Sequence, residues 1–141
     1  MIFSYRDIFA IRWPLVQLLF HIPNGGSGPL KGMAGKMKAQ GVKPGVSDLF
    51  LPVARQSFHG LWIELKAPRG RLSDYQRLWL DNMRDQRYKA TVAVGCEMAW
   101  LEIGNYLTLE IFKNFNELLQ FHGLAPKGGQ IPNGNHKRDP R

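Results

Sequence analysis

An aspartate, a glutamate and a lysine stand close together near the middle of the chain, in Gly45-Val46-Ser47-Asp48 and Gly60-Leu61-Trp62-Ile63-Glu64-Leu65-Lys66. Asp48 opens the apolar run Asp48-Leu49-Phe50-Leu51-Pro52-Val53, and Glu64 and Lys66 close a second run that starts at Leu61. Side chains along a strand alternate between faces, so Glu64 and Lys66 share one face while Ile63 and Leu65 take the other. If the two runs pair as a hairpin across residues 54–59, Asp48 reaches the face of Glu64 and Lys66. Two carboxylates converging with a lysine suit a hard divalent cation with a cationic group beside it. The chemistry to expect of such a site is phosphodiester hydrolysis.

The elements that must position these groups follow from the flanking sequence. Ser4 is a candidate cap for a short helix over residues 5–13, which has to stop before Pro14. Residues 15–22 are dense in apolar and β-branched side chains and read as a first strand. Residues 23–29 form a Pro- and Gly-rich loop. Residues 30–40 read as a helix with Lys31, Lys36 and Lys38 on its polar side, ended by Gly41. After the turn Val42-Lys43-Pro44-Gly45 comes the hairpin of residues 48–53 and 60–66, broken by Ala67-Pro68-Arg69-Gly70. Ser73-Asp74-Tyr75-Gln76 fits a capping box, with Ser73 as the cap and Gln76 reaching back to it. Tyr75, Leu78, Trp79 and Met83 continue as a helical apolar stripe to about residue 87. Residues 88–95 alternate as a strand, residues 97–107 read as an amphipathic helix, and a weaker helix spans 109–121. This order predicts a small α/β domain with a mixed sheet.

At 141 residues the chain has room for one modest core, and its 44% apolar content is that of a globular protein. The formal charge of +8 points to an acidic polymer as partner. The tail from Lys127 to Arg141 contributes +3 of this and leaves +5 on the remainder, so the basic character is not confined to the tail. A lone cysteine, Cys96, has no internal disulfide partner, which favours a reducing, cytoplasmic setting. No apolar run approaches the ~18 residues that span a bilayer. Residues 1–20 carry Arg6, Asp7 and Arg12 and are interrupted by Pro14, so neither a signal peptide nor a membrane anchor is expected.

Each candidate also has a plain structural role. Asp48 follows a Pro-Gly turn, where aspartate is common, and Lys66 suits an exposed strand end. Glu64 between Ile63 and Leu65 is harder to explain without a solvated face or a cation. The capping box alone accounts for Gln76. Ser73 is a cap, and Asp74 suits the positive end of a helix. His21, His59, His122 and His136 have no metal-ligand spacing, and Cys96 fits a core or helix-start position. The glycines of residues 25–35 lack the Gly-Lys-Ser/Thr ending of a phosphate loop. Trp62, Trp79 and Trp100 recur at core-like periods. Lys31, Lys36, Lys38, Lys43, Arg69 and Arg71 can track phosphates or simply face solvent.

Together these residues resemble the VRR-NUC branch of the PD-(D/E)xK nuclease superfamily over residues 18–107. The resemblance rests on Ile22-Pro23-Asn24-Gly25-Gly26, the linker Gly41-Val42-Lys43-Pro44-Gly45-Val46-Ser47-Asp48-Leu49, and the core Ile63-Glu64-Leu65-Lys66. It extends through Gly70-Arg71-Leu72-Ser73-Asp74-Tyr75-Gln76 and the closing helix at Tyr106-Leu107. A bare aspartate followed by Glu-x-Lys is common by chance; this ordered set is far more specific.

The resemblance implies a restriction-endonuclease-like α/β core over residues 1–107, with a possible C-terminal helix at 108–122 and a disordered basic tail at 123–141. It implies a DNA hydrolase with Asp48, Glu64, Lys66 and Gln76 as its catalytic set. Asp48, Glu64 and the Leu65 backbone carbonyl would ligate Mg²⁺ or Mn²⁺. Lys66 would orient the attacking water or stabilise charge on the phosphate, and no small-molecule cofactor is called for. Lys36, Lys38, Lys43, Arg69 and Arg71 are the candidate DNA contacts. Further implied are a homodimer, a stand-alone domain of the kind phages encode, acting in the host cytoplasm, and structure-selective cleavage of branched DNA or Holliday junctions in replication, repair or recombination. Members of the family usually carry a further metal-site glutamate on the first helix. This chain has no glutamate before Glu64: either the true start lies upstream of Met1, or Asp7 substitutes although it lies close to the Asn-Gly-Gly turn, or the site runs without that group. The alternative reading is a catalytically inactive, dimeric DNA-binding module with the same fold.

Overall fold

The computed structural model describes residues 2–23, 33–108 and 112–123. Four strands form one mixed sheet in the order β1 (Phe20–His21), β2 (Leu49–Leu51), β3 (Leu61–Lys66) and β4 (Lys89–Val94). β2 runs antiparallel to both β1 and β3, with Leu49 opposite Ile63 and Leu51 opposite Leu61. β4 runs parallel to β3, with Glu64 opposite Val92 and Lys66 opposite Val94. The crossover between these parallel strands is α3 (Asp74–Asp85), as a parallel connection requires. The mixed α/β architecture anticipated from the order of elements is the one found.

Alternation along the strands divides the sheet into two faces. Leu49, Leu51, Leu61, Ile63 and Ala93 are buried in a common core with Ala99, Trp100, Ile103 and Tyr106 of α4 (Gly95–Thr108). Trp62, Glu64 and Lys66 take the opposite face, where α3 lies and Trp79 meets Trp62 edge-on with ring centroids 5.2 Å apart. The Tyr106 hydroxyl donates to the carbonyl of Val53 at 2.5 Å and ties α4 to the chain just beyond β2. Truncating Ile63 or Leu61 to alanine in such a core costs about 2–5 kcal/mol.

The N-terminal segment departs from the sequence-based expectation. Helix α1 covers only Arg6–Ala10, with Tyr5 at its N-cap and no side-chain cap from Ser4. Ser4 lies instead in a 3-10 turn, Ile2–Ser4, anchored by the Trp100 indole N–H, which donates to the Ile2 carbonyl at 2.8 Å. The anticipated strand over residues 15–22 is mostly a 3-10 helix, Pro14–Leu18, leaving only Phe20–His21 in the sheet. Pro14 sits at a helix start, where its missing N–H is no loss. Val16 and Leu19 are buried three residues apart, the 3-10 period, while Leu15 and Leu18 remain exposed. β2 ends at Leu51 because Pro52 has no N–H for the ladder.

Helix α2 spans Met33–Ala39; residues 30–32 of the expected element lie outside the described residues. Its end is the one anticipated at Gly41, which adopts φ 85° while the Val42 N–H reaches back to the carbonyl of Met37. The weak C-terminal helix is shorter than expected: α5 is Phe115–Phe121, capped by Asn114, whose side chain accepts from the Glu117 N–H at 3.1 Å. It clasps α1 through aromatic rings, with Tyr5 edge-on to Phe115 at 5.5 Å and Trp13 stacked on Phe121 at 6.0 Å. His122 closes the cluster against Trp13 at 4.0 Å. Burial, and secondarily the nearby Arg12 guanidinium, lower the His122 pKa to about 4. The expected disordered tail lies outside the described residues.

Candidate functional site

β3 supplies two of the site's side chains and α3 a third. Glu64 is only 2% exposed, although it faces away from the main core. Its Oε1 is 3.0 Å from the Lys66 ammonium and accepts from the Gln76 amide Nε2 at 2.5 Å. Gln76 Oε1 in turn accepts from Lys66 Nζ at 2.8 Å and from the backbone N–H of Ser73 at 2.9 Å. The Ser73 hydroxyl completes the capping box by accepting from the Gln76 N–H at 3.2 Å. Because two donors converge on one end of the Gln76 amide, the other end must present its NH₂ to Glu64. The capping-box and site readings of Gln76 are thus the same geometry: one side chain both caps α3 and grips Glu64.

Asp48 enters from the neighbouring strand. Its Oδ2 accepts from the Leu65 N–H at 2.8 Å, one position before β2 begins, where the backbone ladder would otherwise have continued. The N–H and C=O of an extended residue point to the same side, so the Leu65 carbonyl is turned toward the edge that Asp48 occupies. The predicted hairpin therefore forms and brings Asp48, Glu64, Leu65, Lys66 and Gln76 together. Asp7 is not among them; it is exposed on α1 and hydrogen-bonds Arg6 and Gln17.

The electrostatics of Glu64 are those of a carboxylate short of a partner. Burial raises its pKa first, and the Asp48 charge raises it further, against the lowering effect of the Lys66 hydrogen bond and charge. Oε2 is buried with no hydrogen-bond partner. A buried carboxylate oxygen in that condition calls for a proton or a cation. The donors on hand are carboxylate and carbonyl oxygens, the set a hard divalent ion prefers. Among the described residues, no cluster of three or more His, Cys, Asp or Glu side chains could hold a metal, so a cation here would rely on two carboxylates plus backbone or water oxygens.

The basic candidates lie on chain segments before and after the site residues. Arg69 and Arg71 are exposed in the turn that follows Lys66, and Lys43 is exposed in the linker that leads to Asp48. Lys36 and Lys38 are exposed on α2, earlier in the chain. Lys31 and the Asn24-Gly25-Gly26 turn lie outside the described residues.

Three features escaped the sequence reading. Gly45, at φ 85°, lies so close to α3 that a Cβ there would come within 2.4 Å of the Tyr75 carbonyl carbon. The Asp48 linker therefore touches the turn that carries Gln76; the Pro-Gly pair was a visible sign of a turn but not of its partner. Ser47 is fully buried beside Asp48 with an unpartnered hydroxyl. Arg69 holds φ 71° at the third position of a turn closed by the Gly70 N–H on the Ala67 carbonyl, a place suited to glycine, and its residue type carries no signal of this.

No curated protein matches the chain. A solved structure, a VRR_NUC domain protein, is similar with a TM-score of 0.58 and 27% identity over 78% of this chain and 91% of that one. The family model of the VRR-NUC domain matches residues 5–97, more than half of the chain and the whole of the segment that builds the Asp48–Glu64–Lys66–Gln76 cluster. The chain belongs to the VRR-NUC domain family.

Proposed function

We propose that the protein is a divalent-metal-dependent deoxyribonuclease with Asp48, Glu64, Lys66 and Gln76 as its working groups. The family carries a nuclease-type, DNA-processing function, and the observation that favours activity in this chain is the buried, unpartnered Oε2 of Glu64 beside Asp48. Gln76 and Lys66 occupy Oε1, which leaves Oε2 as the oxygen to offer a cation. Asp48, Glu64 and the Leu65 carbonyl would hold Mg²⁺ or Mn²⁺. When bound, the ion supplies Lewis acidity and positive charge at the phosphate.

The remaining work falls to the chain's own residues. Glu64 must be ionised to act as a ligand, so its raised pKa makes the site a better one as pH increases. Gln76 fixes the Glu64 carboxylate and the Lys66 ammonium relative to one another. Lys66 has protons to donate and a charge held in place, so it can orient a water or stabilise negative charge as it builds on phosphate oxygens. Lys43, Arg69 and Arg71, with Lys36 and Lys38 farther out, supply the salt-dependent affinity for the DNA backbone.

A homodimer is part of this reading. Ile8, Ile11, Leu15, Leu18 and Phe20 are all exposed in the segment that runs from α1 to β1, Ile11 to 85%, and a second copy would cover them. Sedimentation equilibrium tests it. Among the described residues no helix is long and apolar enough to cross a membrane. The reading places the action on DNA in the cytoplasm, where a lone cysteine stays reduced.

The deciding experiment is cleavage of branched and linear DNAs in Mg²⁺ or Mn²⁺. Glu64→Ala and Lys66→Ala should lose nicking and keep DNA binding, and undiminished cleavage by either variant would falsify the assignment. The absence of a third carboxylate among the described residues favours the rival reading, an inactive DNA-binding module. Calorimetry with Mn²⁺ separates the two, because an inactive relic shows no heat that depends on Asp48 and Glu64.

A further inference from the structure

Tyr75 stands beside the candidate site and has no evident structural duty. It is 63% exposed, and neither its ring nor its hydroxyl has a partner among the described residues. Its neighbour Gln76 holds Glu64 and Lys66. Its own backbone and Cβ lie against Gly45, in the linker that delivers Asp48. The ring is therefore rooted where the two arms of the site meet. Leu78, one turn along the same helix face, is 59% exposed and extends the apolar surface away from the site. Lys43, two residues before Gly45, and Arg71, four residues before Tyr75, are exposed as well.

We infer that Tyr75 is a stacking platform for a nucleobase next to the phosphate engaged by Asp48, Glu64 and Lys66. This inference rests on the nuclease reading and adds to it a determinant of substrate choice. Three observations favour a base over a protein partner: Tyr75 is the chain neighbour of the residue that holds Glu64 and Lys66, exposed cations stand on the chain segments leading to Gly45 and to Tyr75, and the whole chain carries +8. A flat ring held at a site's edge suits a flat base of any sequence. Bases inside a duplex are already stacked on both faces, so Tyr75 can engage only one whose stack is interrupted. The enzyme should therefore favour an unpaired or frayed nucleotide beside the bond it cuts.

The test uses the full chain in EDTA, so that nothing is cut, with DNA hairpins carrying 2-aminopurine at successive positions of an unpaired strand. The wild type and Tyr75→Phe should change the fluorescence of one position strongly. Tyr75→Ala should lose that signal and bind the unpaired DNA about 10-fold more weakly, while its affinity for blunt duplex stays within about twofold. Because Tyr75 is exposed, the variant should keep the wild-type melting temperature. A fluorescence change that is the same in Tyr75→Ala, or an equal loss of affinity for duplex and unpaired DNA, would overturn the inference and leave the nuclease reading standing. Failure of the wild type to bind any of these DNAs would overturn both.

Discussion

Replacing Gln76 by glutamate alters the site while leaving the helix cap in place. A glutamate at this position can still accept from Ser73 N–H and Lys66 Nζ, the two contacts Gln76 Oε1 makes now at 2.9 and 2.8 Å. What changes is the other end, where the amide NH₂ that donates to Glu64 Oε1 at 2.5 Å becomes an oxygen. Two ionised carboxylates whose charges are some 4 Å apart repel by about 4 kcal/mol at an effective dielectric of about 20. Lys66 touches both groups and offsets roughly half, leaving a destabilisation of about 2 kcal/mol in the absence of metal. For a domain of this size that lowers Tm by about 5–10 °C. The defect must depend on pH. Repulsion raises the carboxyl pKa values of the pair in the folded state above their unfolded values, so the folded state binds protons more tightly. Stability is then retained at low pH and lost as pH rises through the raised values. The assay is thermal unfolding of wild type, Gln76→Glu and Gln76→Ala from pH 5 to 8.5 in EDTA, repeated with Mn²⁺. Gln76→Ala, which loses the cap contact, should show a deficit that varies less with pH. Gln76→Glu should converge on the wild type near pH 5, fall away above it, and recover more than the wild type when Mn²⁺ is added. A Gln76→Glu protein as stable as the wild type at pH 8.5 in EDTA would refute the argument that this amide holds an ionisable Glu64.

Three other outcomes follow from particular contacts. Gly45→Ala combines an unfavourable positive φ with a Cβ placed 2.4 Å from the Tyr75 backbone, and should cost about 2–4 kcal/mol in urea unfolding while weakening any Mn²⁺ binding seen by calorimetry. Arg69→Gly relieves a non-glycine residue at φ 71°, and should raise stability by about 1 kcal/mol while reducing the salt slope of DNA binding by about one. His122, with its folded pKa near 4 against an ordinary value of 6.5, binds protons less readily when folded, so stability falls as pH drops from 6.5 towards 4. The loss is on the order of 2 kcal/mol after screening of this half-buried ring, and His122→Phe should flatten that part of the acid unfolding curve.

The centre of the site was legible because its information is local. Strand alternation put Glu64 and Lys66 on one face, a short hairpin brought Asp48 to them, and Ser73 and Gln76 announced a helix start. The parts that were not legible depend on distant partners or on ambiguous composition. Residues 15–22 satisfy the apolar density of a strand, and only the burial of Val16 and Leu19 against the core selects a 3-10 turn. The approach of Gly45 to Tyr75 joins positions thirty residues apart, so turn chemistry alone could not reveal it. Gln76 offered two readings that looked like rivals because a local motif explained it fully; only the position of Glu64 across the helix–sheet interface shows that both hold. The departure at Ser4 has a similar cause, since Trp100 holds the Ile2 carbonyl and draws the first residues into a tighter turn.

The aromatic clasp between α1 and α5 sets an order on folding. Its rings come from residues 5–13 and 112–122, so the contact closes a loop of about one hundred residues. On the ribosome, Phe9 and Trp13 emerge early and must wait for Phe115 and Phe121 before they are covered, whereas the hairpin and the capped helix that build the candidate site can form much sooner. A fragment cut to the family-matched span, 5–97, would keep Asp48, Glu64, Lys66 and Gln76 yet leave α1 without its lid and without Trp100. Expression of that span alone should yield aggregated protein, with the segments beyond it acting as the built-in cover for a sticky first helix.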